Sequence, residues 1–339
     1  MKTHRDYNNR QRAFWLLAGM LAALLSVSCS KDAPAVVPGG EPQPAGRPIE
    51  LRGMFGQDHT GTAPEIKAPV DGGALTTPEL TLWFARADET ASGNYAAYGS
   101  SQLSAVRPAA GGDTPTELSF NAPEPCYLLG NLKTKLTGWY PGGGAAGSAK
   151  GYWSGTNVTW KIDGSQDIMT APAQEGSGTI LMPTLVFSHR TAQLRFYLYA
   201  ETEAIASLWG KITGLQILKQ ANACTYTPST DGTTGAVAFT GSTAGFEALS
   251  APVIPAVTTD KAAAARAGDA VMIAPQTSGY TLELEVESEK LGTVSVTLPA
   301  RVYEEAGAYD IYLRLQAVTI SPAVDISDWS ATVEKDVEL

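Results

Sequence analysis

Few side chains in this chain of 339 residues are suited to chemistry, and they lie far apart. The histidines are His4, His59 and His189, and the cysteines are Cys29, Cys126 and Cys224. That is too few for a zinc module or a disulfide scaffold. His189 stands in LVFSHR (185–190), entering a strand-like run, without the nucleophile and orienting group that acyl-transfer chemistry needs. It reads as a structural histidine tying a strand end. His59 follows Asp58 in the loop-like GQDHTG (56–61), and one such dipeptide is not a metal site. The PGGG run (141–144) lacks a following Lys-Ser/Thr and a helix, so it is not a phosphate loop. Glu283, Glu285 and Glu287, then Glu304 and Glu305, then Asp325 and Asp328, alternate with apolar residues or sit at turns. They read as solvated faces, not as the facing carboxylate pair of a glycosidase. Cys126 and Cys224 are expected to be unpaired, mostly buried thiols. Trp139, Tyr140, Tyr152, Trp153 and Trp160 crowd one segment, which opens an alternative reading: a surface lipoprotein binding glycan through the aromatics of 139–160. No catalytic residue, metal ligand or cofactor site emerges, so the chain reads as a non-enzyme with no cofactor.

The elements that would carry these residues are short strands. Gly and Pro together make 55 residues, too many breakers for a helical bundle. Period-two alternation recurs at 80–84, 117–120, 157–162, 194–199, 280–287, 293–298 and 309–315. In 280–287, Tyr280, Leu282, Leu284 and Val286 share one side and three glutamates and a threonine the other, so only one face can be buried. Segment 293–298 is expected to pair with it across Glu289–Gly292. Helical periodicity is confined to 202–209 and 262–266, a turn or two each. The fold class predicted is all-β, a sandwich or barrel of many short strands. Composition places two domains, 48–180 and 181–339, with the division in Gly176–Gly178.

The first 28 residues read as an export signal. Lys2, Arg5, Arg10 and Arg12 precede an apolar run at 13–25, which is too short to span a bilayer. The run closes on LLSVSC (24–29), which looks like a bacterial lipobox with Cys29 as the acylated residue. Acyl chains of that kind make a stable membrane anchor. Residues 29–47 then form a Pro/Gly-rich tether too poor in bulky side chains to fold. The whole chain has net charge −10, and −13 without residues 1–28. That balance argues against nucleic acid as a partner.

Four segments, in order, resemble the fimbrillin, or type V pilin, family of Bacteroidota. They are LKTKLTGWYP (132–141), WKIDGSQDIMTA (160–171), LVFSHRTAQLRFYL (185–198), and AGAYDIYL (306–313) with ISDW (326–329). The lipobox and tether fit as well. The resemblance implies two tandem transthyretin-like β-sandwiches. It implies a structural or adhesive subunit of surface fimbriae, exported as a lipoprotein to the outer membrane and cell surface. Stalk, tip and anchor roles all stay open. The implied partners are other fimbrial subunits, in a homo- or heteropolymer, with host or bacterial surface ligands beyond them. Assembly in polymerising members of that family follows arginine-specific cleavage and donor-strand complementation. Here Arg52, followed by Gly53, is the candidate processing site, while Arg47 precedes Pro48 and is a poor one. The candidate donor strand is 325–339, with Val333, Val337 and Leu339 on one parity and Trp329 as a plug.

Overall fold

A computed structural model describes residues 46–55, 79–99, 102–110, 114–142, 151–229, 233–242, 245–249, 251–317 and 319–327. Across them the chain is all-β, as its alternation predicts. The first strands are β1 (Leu51–Phe55), β2 (Leu80–Ala91), β3 (Asn94–Tyr95), β4 (Leu103–Arg107), β5 (Thr116–Phe120) and β6 (Thr134–Trp139). Next come β7 (Tyr152–Trp153), β8 (Val158–Lys161), β9 (Met169–Gly176), β10 (Leu185–His189) and β11 (Ala192–Ala200), then helix α1 (Glu203–Trp209). After it follow β12 (Ile212–Leu218), β13 (Ala223–Thr227), β14 (Ala236–Thr240), β15 (Gly245–Glu247), β16 (Ala256–Val257) and β17 (Ala265–Ile273). The last are β18 (Gln276–Tyr280), β19 (Glu283–Ser288), β20 (Gly292–Thr297), β21 (Arg301–Tyr303), β22 (Ala308–Leu315) and β23 (Ile320–Ser327).

The first group of strands runs in the order β3-β2-β4-β5-β1-β10-β9-β6. The long β2 pairs β4 along 80–84 and β6 along 83–88, so β6 returns to β2 and the path closes. Closure removes the open edges that an isolated sheet would present. Ile49, Leu51, Leu82, Phe84, Leu118, Leu136, Leu185 and Phe187 fill this ring. Phe84 and Phe187 meet edge-on at 6.3 Å. Gly138 makes room for them, since a Cβ there would lie 2.8 Å from Phe187 and 2.9 Å from Phe84.

Strand pairing does not change over at residue 180. β9 and β10 flank that position and both belong to the first ring, where β10 pairs β1 and β9. The change falls between β10 and β11. The hairpin β7–β8 goes the other way: β8 pairs β13 and forms the sheet β14-β13-β8-β7. The remaining sheets are β16-β11-β22-β23 with β17 beside β11, β15-β12-β19-β20, and the pair β18-β21. Their inward side chains, among them Leu194, Phe196, Leu198, Trp209, Leu284, Val286, Ile311 and Leu313, share a second core with Trp160 and Tyr226. The hairpin β19–β20 has the expected register, Glu283 opposite Thr297 and Ser288 opposite Gly292. Thr202 caps α1 by accepting from the Ile205 N–H, and the Trp209 indole donates to the Gln316 carbonyl at 2.6 Å. The second weakly helical stretch resolves into a short 3-10 turn, Lys261–Ala263, followed at once by β17.

One buried ion pair crosses the central sheet. Arg195 and Asp310 are directly opposed on parallel β11 and β22. The guanidinium donates to both carboxylate oxygens, at 2.7 and 3.1 Å. Arg195 is 1% exposed, so losing its partner strands a charge out of water. The exposed pair Arg314–Glu201, at 2.8 Å on the same sheet, lacks that burial. Asp310→Ala should therefore lower unfolding free energy by about 3–5 kcal/mol. Glu201→Ala should change it by less than about 0.5 kcal/mol. Urea titrations of both variants measure the contrast, and equal effects would count against it.

Candidate functional site

Two of the chemically suited residues resolve into scaffolding. His189 ends β10, and its Nδ1 lies 2.7 Å from Asp167 Oδ1 with both side chains buried. This is the strand-end tie read from the sequence. His59 lies outside the described residues. Cys224 is a free, buried thiol whose pKa burial pushes up to about 12. Cys126 does not share that state. It is disulfide-bonded, which corrects the expectation of two unpaired thiols. It sits where the chain comes into the body, bridged to Pro48.

Most of the aromatics of 139–160 are turned inward, so the described residues offer the glycan reading no open platform of stacked rings. Trp139, Tyr140 and Trp160 are buried. Trp139 stacks on Trp153 at 5.8 Å and meets Trp83 edge-on at 6.4 Å. The Trp153 indole is engaged with the Gly99 carbonyl at 2.7 Å. Of the five, Tyr152 alone is largely exposed. These rings satisfy one another instead of facing outward.

Charged groups elsewhere fasten strands. Glu89 accepts from the backbone N–H groups of Gly93 at 2.6 Å and Lys133 at 2.8 Å, which hold its carboxyl below the usual range. Lys133, then Tyr95, donates to Glu175 and lowers that carboxyl as well. Among the described residues no group of three or more His, Cys, Asp and Glu could hold a metal ion. No described helix is long and apolar enough to cross a membrane.

The feature that stands apart is β1, which carries Arg52. Its first half pairs β5 antiparallel, Leu51 with Leu118 and Arg52 with Glu117. Its second half pairs β10 in parallel, Met54 with Val186 and Phe55 with Phe187. Gly53 belongs to both ladders. Just before β1, the Ile49 N–H donates to Pro125 and the Tyr127 N–H to Arg47, on the β5 side again. Among the described residues, the opposite edge of 49–52 has no ladder partner. Ile49, Leu51 and Phe55 are 2%, 1% and 4% exposed, while Arg52 points to solvent. The segment is thus a plug with an exposed arginine at the point where it changes neighbours. Sequence reading singled out Arg52 but missed the parallel partner β10 of its strand, because no local pattern reports a pairing across some 130 residues.

The candidate donor segment is only partly in view. Asp325 and Ile326 lie in β23, paired with Asp310 and Tyr309 of β22 as an ordinary last strand of their own sheet. Trp329, Val333, Val337 and Leu339 lie outside the described residues, as does Cys29.

An all-β body whose polar groups fasten strands, with one strand staggered across two neighbours, defines a class of structural protein built on backbone pairing. Residues 85–329 match the fimbrillin-like family, and the chain belongs to it. That family is one of structural proteins, not enzymes. Two solved structures share the fold. One is a candidate cell adhesion protein from Bacteroides uniformis, with TM-score 0.52 and 15% identity, covering 85% of this chain and all of that one. The other is a candidate cell adhesion protein from Bacteroides ovatus, with TM-score 0.51 and 16% identity, covering 84% of this chain and 99% of that one. At such identities the likeness is one of fold. Comparison with curated proteins gives no match.

The plug makes a quantitative demand. Leu51→Ala should cost about 2–5 kcal/mol of stability through lost burial and a cavity. Arg52→Ala should cost under about 0.5 kcal/mol, since its side chain is exposed. Urea unfolding of the two neighbours separates them, and a large loss at Arg52 would contradict the solvent-facing placement.

Proposed function

We propose that the protein is a structural subunit of surface fimbriae, exported as a lipoprotein and joined to other subunits, like or unlike, by strand donation. The observation that carries this reading is the staggered β1 plug with Arg52 exposed on it. Cleavage after Arg52 frees Ile49, with its hydrogen bond to Pro125, and Leu51 and Arg52, with their pairing to β5. What remains is a groove beside Leu118 with the β5 ladder groups unpaired. A strand from a neighbour satisfies such backbone groups and fills the apolar sites at once. Donor and groove lie at different places on the chain, so the contact is head-to-tail and propagates as a fibre. The donor is the segment beyond β23, with Trp329, Val333, Val337 and Leu339 as its anchors.

Membership of the fimbrillin-like family supports the fimbrial role and a cell-surface location. The edge of Leu51 and Arg52 opposite their β5 ladder, which has no ladder partner among the described residues, favours processing at Arg52, because a protease binds its substrate as an added strand. A folded body is cut there only through brief local opening.

Digestion of the purified, signal-free protein with an arginine-specific protease should yield a new N-terminus at Gly53 by mass spectrometry. Electron microscopy should then show filaments, as for a stalk subunit. An uncut protein that caps a partner's filaments assigns it to tip or anchor. Neither cutting nor association with any fimbrial partner would overturn the assembly reading.

The anchor has its own test. Acylation consumes the Cys29 sulfur, and with Cys224 free that is the other sulfur of this chain that could bridge Cys126; the anchor and an intrachain bridge at Cys126 therefore exclude each other, and protein taken from bacterial membranes should carry a thioether-linked diacylglycerol at Cys29. Cys29 recovered unmodified or in a disulfide rules the anchor out.

A further inference from the structure

Two loops at one end of the first ring expose apolar side chains side by side. Leu129, Ile180 and Leu181 are 55%, 57% and 54% exposed. The loops adjoin: a Cβ on Gly178 would lie 3.9 Å from the Gly130 carbonyl, and the Met182 N–H reaches the Tyr127 hydroxyl at 3.2 Å. Neither 128–132 (LLGNL) nor 177–184 (SGTILMPT) holds a charged residue, in a chain that is 17% charged. Ser177 and Ile180 exchange backbone hydrogen bonds at 2.8 and 3.2 Å. That closed turn presents Ile180 and Leu181 to solvent, while Met182 is buried.

The patch borders one end of the groove that residues 49–52 fill. The Ile49 N–H donates to the Pro125 carbonyl and the Tyr127 N–H to the Arg47 carbonyl, both at 2.9 Å. The plug therefore comes in past 125–127, the residues that lead into Leu129. From there 49–52 runs antiparallel to β5. A donor strand that takes over those ladder groups and the sites of Ile49 and Leu51 keeps that direction, because antiparallel pairing is the more stable arrangement. The donor's own N-terminal end then lies at 125–127.

The donor proposed above is the last segment of its chain, so its body precedes it. Twelve residues, 328–339, follow β23, at most about 40 Å of extended chain. The body that gives the strand is thus held at the patch end of the body that receives it. Where the donor departs, β23 has an uncovered apolar residue. Ile320 and Val324 pack on the second core, but Ile326, on the same parity, is 70% exposed. Arg301 of β21 donates to the Val324 carbonyl at 2.9 Å, and the next residue, Val302, is 39% exposed. Apolar side chains stand open at the mouth of the groove and at the root of the donor. Contact between the two removes both from water.

We infer that Leu129, Ile180 and Leu181 receive Ile326 and Val302 of a second copy of this chain, the copy whose strand enters the groove. The contact rests on strand donation and adds to it: the strand joins two bodies, and the patch sets how one is seated on the other.

Cross-linking tests it. Signal-free protein carries the photo-crosslinker benzoylphenylalanine in place of Leu181, or in place of Thr293 on β20 as a control. It is cut with the arginine-specific protease under reductant, so that no bridge at Cys126 holds the released segment at the groove. Isotope-labelled and unlabelled copies are mixed, left to assemble, irradiated and digested with trypsin. The probe at 181 should join peptide 315–335, which carries Ile326, of another copy, and the probe at 293 should not. Ile180→Ser with Leu181→Ser, and separately Ile326→Ser, should each slow filament growth several-fold, and all three together no further. These side chains are exposed, so urea midpoints should stay unchanged. Binding of a synthetic peptide 328–339 to the cut wild-type protein tests strand donation by itself. Filaments without the link from 181 overturn the patch contact and leave strand donation standing. Peptide binding without filaments overturns the second copy as occupant. Neither peptide binding nor filaments overturns strand donation and the contact with it.

Discussion

The first ring depends on one constraint: seven residues, 49–55, must serve two different neighbours. A strand segment has two edges, and buried N–H and C=O groups need partners on both. β1 meets this by a stagger, with Leu51–Gly53 on β5 and Gly53–Phe55 on β10. Take the segment away and the ring opens between β5 and β10. Ile49, Leu51 and Phe55 leave the core together, and Phe187 loses its edge-on contact with Phe55 at 6.2 Å.

The sheets beyond β10 are held differently, and the difference bears on assembly. Their inner face is continuous hydrocarbon, while the opposite face of β11 and β22 carries Arg195–Asp310 and the stacked Tyr197 and Tyr312, 5.0 Å apart. A bidentate pair in parallel register fixes the alignment of two strands that share no hairpin. The two groups are also tied to each other. Tyr226 of β13 reaches Thr137 of β6 at 3.0 Å and the Ala171 carbonyl at 3.3 Å. Arg190 pairs with Glu305 and donates to Thr170 at 2.7 Å. Polar side chains at this junction hold it in one geometry. None of these ties involves β1.

What was legible in the sequence follows the range of the interaction. Alternation at 280–287 and 293–298 encodes a hairpin whose partners are adjacent, and the structure has that register. The short helix at 203–209 is likewise local, set by Thr202 and stopped at Gly210, whose φ of 69° suits glycine. Pairings across long loops left no local mark. β1 with β10, and β8 with β13, were invisible because period two says which face is buried and nothing about the neighbour. The aromatics of 139–160 show the same limit. A tryptophan suits a core or a platform equally well, and only the approach of Trp83 and Gly99 from distant strands decides it. Arg52 entered the sequence reading through the family resemblance, as an arginine followed by glycine; alternation alone could not place its side chain, since Arg195 in the same kind of run is buried.

Strand exchange also has to explain why a neighbour's strand does not enter uninvited. While β1 is covalently attached, its effective concentration at the groove is on the order of millimolar. A donor on another subunit at micromolar concentration competes at a disadvantage of about a thousandfold, or roughly 4 kcal/mol. In the proposed exchange, cleavage after Arg52 would remove that advantage without touching a groove contact. Residues 49–52 then have one ladder, to β5, and two large buried side chains, too little to remain bound to a groove at ordinary dilution. The rest of β1, Gly53–Phe55, stays covalently attached beside β10 and keeps the far wall in place. The position of the arginine, next to the point where the strand changes partner, thus separates the part that would leave in the proposed exchange from the part that would stay.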